Sequence, residues 1–173
     1  RRMMVKLWTL PVPLAGTQAR SSDQQAGHRW RGMKCSVPQA LQRRIQRAKL
    51  PPRKTLEDYD FEFPKRIPKQ KVLRLFDCEF ISQHRCAVLI GKTGTGKTHL
   101  LNALAHTACE KGISVRWTRA IDMINILTTA QINGTLEKRL REYTRPQLLL
   151  LDELGYLPID KRGADLMFQV VAA

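Results

Sequence analysis

Residues Gly91-Lys92-Thr93-Gly94-Thr95-Gly96-Lys97-Thr98 set three glycines ahead of a lysine and a hydroxyl, the residue types that surround a polyphosphate. The apolar Val88-Leu89-Ile90 precedes them, so the G-x-x-x-x-G-K-T spacing predicts a strand, a loop and a helix start whose N–H groups meet phosphate oxygens. Gly91, Gly94 and Gly96 permit a tight concave turn without intruding side chains. Lys97 is then placed to reach the β and γ phosphates, and the Thr98 hydroxyl to bind the Mg²⁺ that bridges them. The nucleotide-binding set runs Gly91, Lys92, Thr93, Gly94, Thr95, Gly96, Lys97, Thr98 and His99. Taken alone, His99 reads as a packed or hydrogen-bonded histidine rather than a catalytic one.

A second motif lies further along. Leu148-Leu149-Leu150-Leu151 closes in Asp152-Glu153, the pattern of a strand buried on both faces whose carboxyl end meets a ligand. Asp152 suits a Mg²⁺ ligand acting through water. Glu153 suits orienting or deprotonating the water that attacks a γ-phosphate, which makes Lys97 and Glu153 the catalytic candidates. An NTP hydrolase needs that acid.

The elements that must carry these motifs follow from apolar periodicity. Residues 1–35 show neither helical nor strand spacing and read as a poorly ordered leader, with no function assigned. Residues 36–68 read as a basic helix and a connector. Ser36-Val37-Pro38-Gln39 has the form of a capping box, and Val37, Leu41, Ile45 and Ala48 form one helical side to about Leu50. Arg43, Arg44, Arg47 and Lys49 occupy the remaining surface and are the DNA-binding candidates. Pro51-Pro52 ends that helix, and Leu56, Tyr59, Phe61 and Phe63 pin a connector.

Residues 69–173 read as the nucleotide domain. A helix is expected from Lys69 to Phe80, a first strand near Cys86–Ile90, a buried helix after the loop with Gly112 as its stop, and a second strand over Ile113–Thr118. A helix carrying Ile121, Ile124 and Leu127 comes next. A short basic helix with Leu136 and Leu140 ends at Arg145-Pro146. Its Lys138, Arg139, Arg141 and Arg145 suit DNA, a neighbouring subunit or plain solvent equally well. Trp117 reads as core, and His106 with Cys109 as helix surface or core.

Composition bounds the rest. The 173 residues suffice for one α/β domain. Net charge is +15, and 13 of the 30 Lys and Arg lie in residues 1–54 against Asp23 alone. Such an arm suits a polyanion such as DNA, or a solvated tail. The four cysteines show no C-x-x-C spacing, which points to a reduced, cytoplasmic chain, and no apolar run approaches a membrane span.

With both motifs placed, the stretch from about Leu41 to Val171 resembles the IstB-like family of AAA+ ATPases, helpers of bacterial insertion-sequence transposition. The resemblance rests on Lys49-Leu50-Pro51, Lys54-Thr55-Leu56-Glu57-Asp58-Tyr59-Asp60-Phe61, Gly94-Thr95-Gly96-Lys97-Thr98-His99-Leu100, Leu151-Asp152-Glu153-Leu154-Gly155-Tyr156-Leu157-Pro158 and Gly163-Ala164-Asp165-Leu166-Met167-Phe168-Gln169-Val170. It implies a P-loop αβα sandwich with a parallel sheet, ATP and Mg²⁺ as cofactors, assembly as a homo-oligomer on double-stranded DNA, and a partner transposase of the same insertion sequence. Helicase loaders of the DnaC type share that core. A loader, or a fragment that binds nucleotide or DNA without turnover, is therefore the alternative.

The resemblance also implies a strand between those ending at Gly91 and Asp152, an arginine finger and further core beyond Ala173. On that reading the chain is a C-terminally truncated fragment with a gap in the middle of its sheet and little turnover.

Overall fold

The computed structural model describes residues 2–9, 38–62, 67–154 and 159–172. Its sheet has four strands: β1 (Arg2–Thr9), β2 (Ala87–Lys92), β3 (Val115–Arg119) and β4 (Leu148–Leu154), in the order β2-β1-β4-β3. Seven helices surround it among the described residues: α1 (Gln39–Ala48), α2 (Lys69–Phe76), α3 (Glu79–Ser82), α4 (Lys97–Glu110), α5 (Ala120–Ile132), α6 (Leu136–Thr144) and α7 (Lys161–Val171). None is long and apolar enough to cross a membrane.

The leucine run of β4 explains the layering. Because strand side chains alternate, Leu148 and Leu150 enter one core with Leu101, Leu104, Ala105, Ala108 and Cys109 of α4. Leu149 and Leu151 enter the opposite core with Met123, Leu127, Tyr143, Leu166 and Val170 of α5, α6 and α7. Both faces of β4 are thus covered, and all four leucines are at most 1% exposed. Fully burying one such side chain contributes about 1.5–3 kcal/mol.

Helix α4 is buried nearly all round because it packs in two directions. Leu101 and Leu104 face the sheet, while Leu100 packs with Tyr59 and Val72 in a third cluster that seats the connector. Gly112, at φ 87°, lets the chain reverse after α4, since a Cβ is strained in that conformation. Asp160 caps α7 by accepting the Gly163 N–H at 2.8 Å.

Several expectations are corrected. The sheet is mixed: β3 and β4 run parallel, but β1 is antiparallel to both β2 and β4. Residues 2–9 of the expected leader form that strand. It fills the slot where a gap was expected, and the physical reason is hydrogen bonding. Buried strands leave N–H and C=O groups that cost about 1–3 kcal/mol each when unpaired, and an extended segment from anywhere in the chain can pair them.

The helix expected from Lys69 to Phe80 is two helices, broken where Cys78 adopts a left-handed backbone at φ 60°. Helix α1 ends at Ala48, with Lys49 as a left-handed cap. The Ser36 capping box, the leader from residue 10 onward, Phe63 and Gly155–Pro158 lie outside the described residues.

Candidate functional site

Strand β2 delivers the glycine loop to the start of α4. Gly94 and Gly96 hold φ angles of 81° and 75°, which turn the backbone so that the loop closes over the helix N-terminus. At Gly91 a Cβ would come within 3.2 Å of Thr95 Oγ1. At Gly96 it would come within 2.5 Å of the Tyr59 ring, an overlap no real Cβ tolerates.

Lys97 is 6% exposed, and its ammonium donates to the Lys92 carbonyl at 2.5 Å and to Thr95 Oγ1 at 3.1 Å. The loop therefore curls around the lysine head. Burial pushes the Lys97 pKa below its ordinary value, while the carboxylate of Asp152 acts the other way. A cation held in a partly dry cradle of this kind favours an anion arriving beside it.

The second motif meets the first directly. Thr98 Oγ1 donates to Asp152 Oδ1 at 3.3 Å, across 54 residues of sequence. Asp152 is 4% exposed, and the same oxygen accepts the Glu153 N–H at 2.9 Å. A threonine hydroxyl beside one buried carboxylate is an oxygen pair that fits Mg²⁺, an ion that keeps several waters and takes other oxygens from phosphates. Among the described residues no cluster of three or more His, Cys, Asp or Glu is positioned to hold a metal by protein ligands alone.

Glu153 departs from its strand neighbours. Its φ is 57°, and its exposed carboxylate lies 4.0 Å from the Arg119 guanidinium, which also holds Asp122 at 2.7 Å. Arg119 stands opposite Asp152 in the β3–β4 register. The left-handed backbone at a glutamate costs about 1–2 kcal/mol.

The connector docks onto the site, which apolar spacing alone did not show. The Tyr59 hydroxyl donates to the Thr95 carbonyl at 2.9 Å, and the His99 ring stacks edge-on to Tyr59 while its Nε2 lies 2.7 Å from the Thr55 carbonyl. Asn102 donates to the Pro52 carbonyl at 2.9 Å and accepts the Lys54 N–H at 3.2 Å. The signal available in sequence was the D-Y-D-F aromatic run. An apolar groove of about 460 Å³ opens beside Gly91 and Lys97, between Tyr59, Ile67, Pro68 and Val72.

The remaining candidates separate. Arg43 and Arg47 on α1 and Lys49 at its cap are exposed, whereas Arg44 is half-buried near Gly112 at the carboxyl end of α4. There a cation lies near the negative end of the helix dipole. On α6, Arg139 pairs with Glu142 at 2.5 Å and Arg141 pairs with Glu137.

The family described as IstB-like ATP binding protein matches residues 27–173. The chain is 38% identical over 127 residues to the ATP-binding protein of insertion sequence IS232 from Bacillus thuringiensis subsp. berliner, covering 73% of this chain and 51% of that protein. It is 35% identical over 133 residues to the IS5376 counterpart of Geobacillus stearothermophilus, covering 77% and 53%. It is 34% identical over 131 residues to the IS21 counterpart of Pseudomonas aeruginosa, covering 76% and 49%. The chain thus spans about half the length of these relatives.

Proposed function

The chain belongs to the IstB-like ATP-binding protein family, and from that premise we propose that it binds and hydrolyses ATP as a helper of insertion-sequence transposition, acting on double-stranded DNA beside a transposase. The supporting observation is the meeting of the two motifs, with Lys97 inside its loop and Thr98 against Asp152 at 3.3 Å.

On this reading the triphosphate lies across the N-terminus of α4, its oxygens on the loop amides and the Lys97 ammonium. Lys97 exchanges the Lys92 carbonyl for a phosphate oxygen, a change from a neutral to a charged acceptor. Thr98 and Asp152 hold Mg²⁺, which supplies charge neutralisation along the phosphates. Glu153, released from Arg119, positions water for in-line attack on the γ-phosphate. The nucleoside lies in the groove beside Tyr59 and Val72. Exposed Arg43, Arg47 and Lys49 contact DNA phosphates, and copies of the chain assemble on the duplex.

A second reading, nucleotide binding without turnover, draws on one observation. The Glu153 carboxylate sits 4.0 Å from Arg119 in a left-handed backbone, so its role as a base requires a change of partner.

Mg·ATP binding and hydrolysis, with and without duplex DNA, decide between them. Turnover in the parent that is lost in both Lys97→Ala and Glu153→Gln supports hydrolysis. Binding lost only in Lys97→Ala, with no turnover in the parent, supports the second reading. A parent that binds no Mg·ATP overturns both. Retention of a replicative helicase in place of a transposase in a pull-down would move the assignment to a loader.

A further inference from the structure

Two hydrogen bonds from the connector bracket Gly96-Lys97-Thr98, the residues at the centre of the phosphate site. Before them the Tyr59 hydroxyl donates to the Thr95 carbonyl at 2.9 Å; after them His99 Nε2, facing a group that can only accept, donates to the Thr55 carbonyl at 2.7 Å. A turn closed on itself presents both partners. Thr55 Oγ1 donates to Asp58 Oδ2 at 2.7 Å and accepts the Asp58 N–H at 3.3 Å, while the Tyr59 N–H donates to the Leu56 carbonyl at 3.1 Å. Tyr59 is thereby fixed from its own side as well as from the loop, and its ring takes the space that a Cβ at Gly96 would need.

The bond at Thr95 acts on the next residue through the peptide plane. The C=O and N–H of one trans peptide point in opposite directions, so a hydroxyl that holds the Thr95 carbonyl also aims the Gly96 N–H, away from Tyr59. Among the described residues no backbone carbonyl accepts that N–H. Gly96, at φ 75°, is also where this peptide turns over most easily, because glycine populates both signs of φ. Without the hydroxyl the donor loses its fixed direction.

We infer that Tyr59 is a positioning residue of the nucleotide site, its hydroxyl turning the Gly96 N–H toward the phosphates. The inference rests on the proposed nucleotide binding and adds to it a residue from outside both motifs. Hydrogen bonds to an ionised acceptor are the strong ones, and an N–H preset on a phosphate oxygen needs no reorganisation when the ligand arrives. The phosphates feel this effect, although Tyr59 also borders the apolar groove assigned to the nucleoside.

Titration calorimetry in Mg²⁺ with ATP and with inorganic tripolyphosphate, on the full chain and on Tyr59→Phe, tests this. Tyr59→Phe keeps the ring and loses only the hydroxyl, and it weakens both ligands about 10-fold, the lower end for a hydrogen bond to a charged group. Weakening confined to ATP would put the hydroxyl on the nucleoside and overturn the inference, as would parent-like affinity for both ligands.

Amide spectra of the nitrogen-15-labelled chain give a reading that a merely structural role leaves unmoved. Either ligand shifts the Gly96 amide resonance in the parent, and in Tyr59→Phe that shift shrinks while those of the Lys97 and Thr98 amides persist. An unchanged Gly96 shift, or an equal loss at all three amides, counts against Tyr59. A parent that binds neither ATP nor tripolyphosphate overturns the functional reading beneath, and this inference with it.

Discussion

Gly94 and Gly96 differ in what surrounds them, and that difference predicts two unlike alanine variants. Both hold left-handed backbones, at φ 81° and 75°. A Cβ at Gly94 meets nothing within 4 Å, whereas at Gly96 it lands 2.5 Å from Tyr59 Cε2 and 3.2 Å from the Tyr59 hydroxyl. Gly94→Ala therefore costs the backbone strain alone, about 1–2 kcal/mol. Gly96→Ala costs that strain plus overpacking of about 1–3 kcal/mol. It also disturbs the Tyr59 bond to the Thr95 carbonyl, made at 2.9 Å.

Thermal and urea unfolding without nucleotide measure both. At about 2–4 °C per kcal/mol for a chain of this size, the two melting temperatures should differ by several degrees. The decisive arm is the double variant. With Tyr59→Ala in place the overlap disappears, so adding Gly96→Ala should cost no more than Gly94→Ala does. That leaves a coupling of about 1–3 kcal/mol between positions 59 and 96. If the two changes add within about 0.5 kcal/mol, Tyr59 does not rest on the loop and the docking argument is wrong.

Three further outcomes are expected. His106 is buried with both ring nitrogens unpartnered; burial first, and Arg53 second, push its pKa below the ordinary value, against the smaller opposing effects of Glu110 and the Pro51 backbone. The unfolded chain then binds the proton more readily, so stability falls as pH drops through the unfolded histidine value of about 6.5, and His106→Gln flattens the melting temperature between about pH 5 and 7. Asn102→Ala removes the bonds to Pro52 and Lys54 and should cost about 1–3 kcal/mol in urea unfolding, while freeing the connector to earlier proteolysis. Tyr143 is fully buried with its hydroxyl unpartnered, so Tyr143→Phe should leave the melting temperature equal or higher, whereas Tyr143→Ala lowers it by the equivalent of about 3–5 kcal/mol.

What the sequence by itself determined is the chemistry written in contiguous residues. The glycine loop, Lys97 and Thr98 form one local turn whose conformation depends on glycine backbones and a helix start, so eight neighbouring residues carry the whole signal. The run Leu148–Leu151 likewise announced a strand covered on both faces, because a short continuous apolar run closing in an acid pair suits a strand with both faces buried. Only the tertiary structure decided how distant segments serve that site. Arg2–Thr9 has no periodicity to mark it, and it becomes a strand because its backbone pairs with the facing edges of β2 and β4. Tyr59 is one aromatic among several until Gly96 gives its ring a surface without a Cβ. Arg44 looks like its neighbours on α1 until the carboxyl end of α4 arrives beside it. Local motifs are legible because their energetics are local, while strand pairing and docking depend on groups far apart in the chain that meet only in the folded state.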